Sequence, residues 1–266
     1  MKIRSFISWL VCLFGKKRVK IIGKKGFGFR KSIEDKRDYK YPFHIVGFAI
    51  NRDISLVRSN ERIKYQGGLG TCYAFAVSDW YEHEVKGLVD VSELFLSYRV
   101  REYYESIGRS NLSFPYDRGA CIRDVFKQMR KKEMVSAERL CPYRQENFNE
   151  KPSNWAYSMA HIISHRIDAF WRIYTEDQIT QVLFEGHRIV IGLRLDSLFL
   201  KKPSRVVDTI NKKDAKYGHA MTLVGQEGDY YVIKNWWGSH PSFVKIKKSV
   251  VLDPMINIEM WTAKLK

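Results

Sequence analysis

Three side chains far apart in the sequence have the types and neighbours that suit nucleophilic chemistry. Cys72 follows the glycine-rich stretch Gln66-Gly67-Gly68-Leu69-Gly70-Thr71 and opens the apolar run Tyr73-Ala74-Phe75-Ala76. A thiol at a helix start lies among backbone N–H groups that favour negative charge, so its pKa is expected to fall. His219 comes 147 residues later in Gly218-His219-Ala220, and Asn235 a further 16 residues on in Lys234-Asn235-Trp236-Trp237-Gly238. A thiol, an imidazole that takes its proton and an amide that orients the imidazole are the parts of covalent acyl chemistry. Singly each has a plain alternative: an inert core thiol, a histidine before a strand, an asparagine in a turn. Their order and contexts together carry the signal.

The elements that must position these residues follow from periodicity. Apolar residues at helical spacing predict a long buried helix from Tyr73 to about Gly87, a second from about Val91 through Tyr103, and an amphipathic third from Cys121 to Lys132. The stretch 110–117 reads as a loop. In the second half, 162–167, 169–173, 189–193, 220–225, 230–234 and 243–246 read as strands, the pair 220–225 and 230–234 closing around the 226–229 turn. A helix over 176–185 has Thr175 as its N-cap. A short strand is expected over 54–57. Helices first and strands later give an α+β protein with a helical lobe and a β lobe.

The chain has 266 residues, 45% hydrophobic, enough for one sizeable core or two lobes. Of its net charge of +17, +10 falls within residues 1–41. The excess therefore belongs to a basic N-terminal arm and linker, assigned to residues 1–45, ahead of a domain over 46–266. The arm suits solvent or an anionic membrane surface; no nucleic-acid fold signature accompanies the charge, so nucleic acid is not the expected partner. Its apolar stretch, 5–15, is too short to span a bilayer as a straight helix and is compatible with an interfacial anchor, a signal segment or a folded helix. A cytoplasmic or membrane-associated location is favoured, with secretion or a virion as the alternatives. Of the four cysteines, Cys12 lies in the arm and Cys72 in the motif, leaving Cys121 and Cys141 as the available core pair. No CxxC spacing appears, and His161 and His165 lack an acidic neighbour in a segment that reads as extended, so neither a metal nor a cofactor is expected.

The motifs resemble those of the papain-like cysteine peptidases. Gln66 lies six residues before Cys72, which precedes an aromatic and Ala-Phe; the histidine is in Gly-His-Ala and the asparagine in Lys-Asn-x-Trp-Gly. The stretch 35–41, Gly119-Ala120-x-Ile122-Arg123-Asp124 and Pro142-Tyr143 are similar to the bacterial and viral branch, which lacks a long inhibitory propeptide. The resemblance implies a two-lobe fold with the site in the cleft, no cofactor and a polypeptide substrate. It makes Cys72 the nucleophile, His219 its proton partner, Asn235 the residue that fixes the imidazole, and Gln66 an oxyanion donor beside the Cys72 backbone N–H. Trp237 is implied as the indole covering the His–Asn bond. Gly119 would pair its backbone with substrate, and Ala120, Cys121, Tyr217 and Ala220 would approach the pocket for the second residue before the cut.

The sequence also departs from that pattern. Leu69 stands where cathepsins carry a lobe-stapling cysteine, Thr71 where Ser or Ala is usual, Trp236 where Ser is common, and Ser239-His240-Pro241 replaces a second Trp-Gly segment. None of these removes a reacting group. The expected function is a cysteine endopeptidase working through an acyl-enzyme. The competing readings are a transpeptidase or amidase on the same fold, and a degenerate fold that binds without catalysis.

Overall fold

The computed structural model describes residues 27–36, 38–42, 52–202, 204–238 and 240–266. The apolar stretch 5–15 and the boundary drawn between residues 45 and 46 lie outside them.

Helix α1 (Cys72–Glu84) is buried along nearly its whole circumference, from Cys72 to Glu82, which marks a central element rather than a surface one. Around it pack α2 (Glu93–Ser106), whose first turn is capped by Ser92 Oγ accepting from Phe95 N–H at 3.0 Å, and the amphipathic α3 (Ile122–Met129), which buries Ile122, Val125, Phe126 and Met129. Helix α4 (Asn154–Ile163) corrects the sequence reading, which expects a strand from Ile162. Ser153 Oγ caps this helix by accepting from Ala156 N–H, and Ile162 lies exposed on its outer side. An apolar, β-branched pair at a helix end carries the local signature of a strand, and the cap decides the matter. His161 therefore sits in a helical last turn, and no metal-holding cluster of His, Cys, Asp or Glu occurs among the described residues.

The second half forms one sheet. Its strands are β1 (Ile54–Ser55), β2 (Ile167–Ile173), β3 (Ile189–Leu195), β4 (Val206–Val207), β5 (Tyr217–Glu227), β6 (Tyr230–Lys234), β7 (Phe243–Lys247) and β8 (Asn257–Leu265), in the order β2-β8-β3-β5-β6-β7-β4, with β1 added against β5. All pairs are antiparallel except β4 with β7. Helix α5 (Glu176–Phe184) begins with a full capping box between Thr175 and Gln178. The short helices α6 (Ser197–Lys201) and α7 (Lys248–Val251) complete the chain path.

Period-two alternation gives the sheet two apolar faces. On β3, Val190 joins α1 and Trp261 in one core, while Ile189, Ile191 and Leu193 join α5, Met221 and Leu223 in the other. Thr222 Oγ1 donates to Ala76 O at 3.2 Å, tying β5 to α1 directly. The seam between the two cores is the cleft.

Residues 27–36 and 38–42 lie against this fold, where the sequence suggests an arm and a solvated linker. Arg123 of α3 is held by Asp35, at 2.7 Å, and by Asp38, and Tyr41 is buried in the second core. The available pair Cys121 and Cys141 does not bond: Cys72, Cys121 and Cys141 are free thiols. Among the described residues no helix is long and apolar enough to cross a membrane.

Candidate active site

Cys72 is the first residue of α1, delivered there by a turn held from outside. Gly70 N–H donates to Asp117 Oδ2 at 2.6 Å, and Gly68 N–H donates to Gln145 Oε1 at 2.8 Å. Tyr143 Oη gives its proton to Gln66 O at 2.8 Å and so accepts from Thr71 Oγ1 at 2.6 Å. Gln66 N–H donates to Trp236 O at 3.0 Å, pinning the start of the cysteine turn to the asparagine loop.

His219 lies on β5 and Asn235 just beyond β6. His219 Nε2 is 3.0 Å from Asn235 Oδ1. Trp236 N–H also donates to that oxygen, at 2.8 Å, which fixes the amide orientation. Facing an acceptor, Nε2 must carry the proton, so in the neutral ring Nδ1 holds the lone pair. Trp237 stacks on the imidazole with ring centroids 4.0 Å apart and an interplanar angle of 21°. His219 and Asn235 are both buried. The backbone N–H of Ala220, the next residue along, is placed to donate to the Cys72 sulfur. Sulfur, imidazole and amide thus come from one helix and two neighbouring strands at the seam between the cores.

The thiol itself differs from expectation. Burial pushes its pKa up to about 11, against the opposing backbone N–H groups of Ala220, Gly28 and Tyr73. The helix-start effect is present but loses to desolvation. Cys72 is fully buried, as a member of the first core, and the Gly28 backbone N–H is among the donors facing its sulfur. The cover is the stretch 27–32, which runs through the cleft with Gly28 over the sulfur.

The residues expected to bind substrate line that stretch. Ala120 N–H donates to Gly28 O at 2.8 Å and Ala120 O accepts from Arg30 N–H at 3.1 Å, a parallel bridge between Ala120 and Phe29. Ala120 thus pairs its backbone with this stretch, and Gly119 (φ 68°) lies so close beneath that a Cβ there would sit 1.7 Å from Gly28 O. Tyr217 and Trp237 contact the Phe27 ring at 5.0 and 5.6 Å. Cys121 Sγ lies 3.4 Å from Lys31 O. Gln66 Nε2 donates to Leu69 O at 2.6 Å.

Two contributors escape the sequence reading. One is the covering stretch itself, read as part of a solvated arm. The other is Glu259 of β8, paired with Gly192 in a row that continues to Ala220 on β5. Its carboxylate is buried and accepts from Ser32 N–H at 3.1 Å and Ser32 Oγ at 2.9 Å. Burial pushes the Glu259 pKa up to about 7, with the Ser32 donors opposing. The clue in sequence is a lone acid in the apolar stretch 256–263.

Behind the site, Glu61, Asp79, Arg188 and Lys234 form a buried network of two cations and two anions. Arg188 Nη1 is 2.9 Å from Asp79 Oδ1, Arg188 Nη2 2.7 Å from Glu61 Oε2, and Lys234 Nζ 2.7 Å from Asp79 Oδ1; Lys234 also pairs with Glu61. Asp79 sits two turns along α1 from Cys72, and Lys234 directly precedes Asn235.

No family model and no curated relative matches the sequence. Solved structures do. Xylellain, a cysteine protease from Xylella fastidiosa, aligns with a TM-score of 0.78 at 23% identity, over 91% of this chain and 96% of that one. Procathepsin L 3 of the Tenebrio molitor larval midgut aligns with a TM-score of 0.65 at 15% identity, over 91% and 76%. The Carica candamarcensis cysteine protease CMS1MS2, in complex with E-64, aligns with a TM-score of 0.58 at 16% identity, over 80% and 97%. The chain has the papain-like two-lobe fold of these cysteine proteases.

Proposed function

We propose that this chain is a cysteine endopeptidase that hydrolyses peptide bonds through Cys72, His219 and Asn235. The reading rests chiefly on the imidazole: its Nε2 is committed to Asn235, its face is covered by Trp237, and the next backbone amide points at the Cys72 sulfur. In this reading His219 Nδ1 takes the thiol proton, and the sulfur attacks the scissile carbonyl carbon. The developing oxyanion receives hydrogen bonds from Cys72 N–H and the Gln66 amide, which has a second N–H besides the one on Leu69 O. The imidazolium then returns its proton to the leaving amine as the C–N bond breaks, leaving a thioester. Water, deprotonated by the same ring, hydrolyses the thioester and frees the enzyme. The Ala120 backbone offers a donor and an acceptor to an extended peptide. The substrate is accordingly a polypeptide.

The test is a peptide-library digest by the chain carrying Gly28→Val, a residue that cannot sit beside Gly70, compared with the same chain also carrying Cys72→Ala. Hydrolysis is expected to fall by about 10⁴-fold or more on removing the sulfur. Equal hydrolysis in the two, or none in either while Cys72 still reacts with alkylating agents, overturns the assignment.

A further inference from the structure

Strand β2 stands at the end of the sheet, with β8 on one side only. Part of its outer edge is covered. Arg172 N–H donates to Tyr39 O at 2.9 Å and Arg172 O accepts from Tyr41 N–H at 3.2 Å, so Arg172 turns both backbone groups away from β8. That direction alternates along a strand, and Phe170, two residues earlier, turns its N–H and C=O the same way. Among the described residues Arg172 is the one position at which this edge is paired. The preceding chain leaves the edge in a turn, where Asp38 N–H donates to Asp35 O at 2.9 Å. A cavity of about 710 Å³ opens between the free part of the edge and α3. Lys127 of α3, with Arg130 and Lys131 just past its end, lines one wall, and 168–171 of β2 lines the other. Arg123 is already matched by Asp35 and Asp38. Lys127, Arg130 and Lys131 have no ion-pair partner among the described residues, and the one uncommitted carboxylate in the lining is Asp168.

We propose that this groove takes up an acidic stretch of polypeptide in extended form, which adds as a strand beside β2 at Phe170 and sets its carboxylates against Lys127, Arg130 and Lys131. Open backbone groups give an added strand its hydrogen bonds, and its alternate side chains give it selectivity. Here the selectivity is charge, three cations against Asp168 alone. A second copy of this chain does not fit, since it would bring three more cations to the same contact. Residues 1–26 and 43–51 contain no Asp or Glu, so neither segment supplies the charge. An edge defended only against aggregation carries charge on the strand itself, whereas these cations come from across the groove. Strand β2 lies three strands from the β5 that bears His219, about 14 Å across the sheet, so the groove is separate from the cleft and its occupation does not depend on peptidase activity.

The experiment measures fluorescence anisotropy of a labelled Glu-Val repeat octapeptide with the full chain carrying Cys72→Ala, so that the probe stays intact. The acidic peptide is expected to bind and to slow amide hydrogen exchange at 168–172; the matching Lys-Val peptide is expected not to bind. Lys127→Glu together with Lys131→Glu is expected to weaken binding at least about tenfold. Folding of that variant is checked by circular dichroism, and should the pair fail, Lys131→Glu alone, at an exposed position, is read in its place. The acidic peptide methylated at every backbone nitrogen keeps its charge and loses the donors a strand needs, so it too is expected to bind at least about tenfold more weakly. Equal binding of the methylated peptide makes the groove a site for any polyanion and overturns strand addition. Unchanged affinity in the charge-reversed chain, or no binding at all, overturns the groove itself, whatever a hydrolysis assay shows.

Discussion

Two stretches from the N-terminal part of the chain reach the cleft, and they are held by opposite means. Residues 52–66 lead into the cysteine turn and are fixed by buried charge. Glu61 meets Arg188 and Lys234, Lys64 meets Glu82 and Glu93 at 2.7 Å each, and Gln66 N–H reaches Trp236 O. Residues 27–32 are held by backbone pairing, two aromatic rings and the Ser32 hydrogen bonds. The first stretch cannot leave without stranding ions in a low-dielectric interior. The second can, because what it uncovers is a groove of glycines, rings and backbone that water or another peptide can fill. The difference separates frame from cover: charge networks set where Cys72 and Asn235 stand, and weaker contacts decide whether anything reaches them.

That contrast is open to attack from several sides. The largest effect is expected from Asp79→Ala, which leaves Arg188 and Lys234 facing one anion instead of two. Loss of a partner in such a buried network typically costs about 3–5 kcal/mol, read as a lowered urea midpoint. Phe29→Ala, by comparison, is expected to cost no more than about 2 kcal/mol, since the ring is only partly buried. If the two variants lose equal stability, the distinction between frame and cover fails.

A pH titration sharpens the comparison further. Burial raises the Cys72 thiol from its ordinary 9.0 to about 11. A group raised in the closed state stabilises that state fully below its ordinary pKa, and this contribution is lost as pH climbs through the raised one. Closure should therefore be firmest below pH 9 and weaken toward about 11, so wild-type alkylation should rise steeply across that window. In Gly28→Val, with the sulfur wetted, the same rise should begin at lower pH. Coincident profiles would show that the stretch is not what dehydrates the thiol. The smallest effect is expected from Ser32→Ala. Losing one hydroxyl bond to Glu259 should shift the closed-to-open balance by about 1 kcal/mol, near fivefold in the alkylation rate of Cys72.

What could be read in the sequence follows the range over which each signal is written. The cysteine turn, the histidine strand and Lys234-Asn235-Trp236-Trp237 are local motifs, and the structure brings their elements to one seam. The period of α1, α2 and α3 and the cap of α5 were equally local. Strand β8 was missed because its interior is buried on both faces, from Ile258 to Ala263, which removes the alternation that betrays a strand. Helix α4 was misread because two isoleucines at its end carry a β signature. The ion network was invisible because its members lie at 61, 79, 188 and 234 and meet only after folding. Basic charge at 24, 25, 30 and 31 suggested solvent, whereas the informative residues there were Phe27, Gly28 and Phe29.

The stacking of Gly28 on Gly70 and of Gly119 on Gly28 has one more consequence. Recognition here is written in missing atoms, since a methyl group on Gly28 or on Gly119 would overlap its neighbour by more than thermal motion can absorb. A ligand designed for this groove is thus ranked first by how little it carries at its midpoint, and only then by the rings on either side.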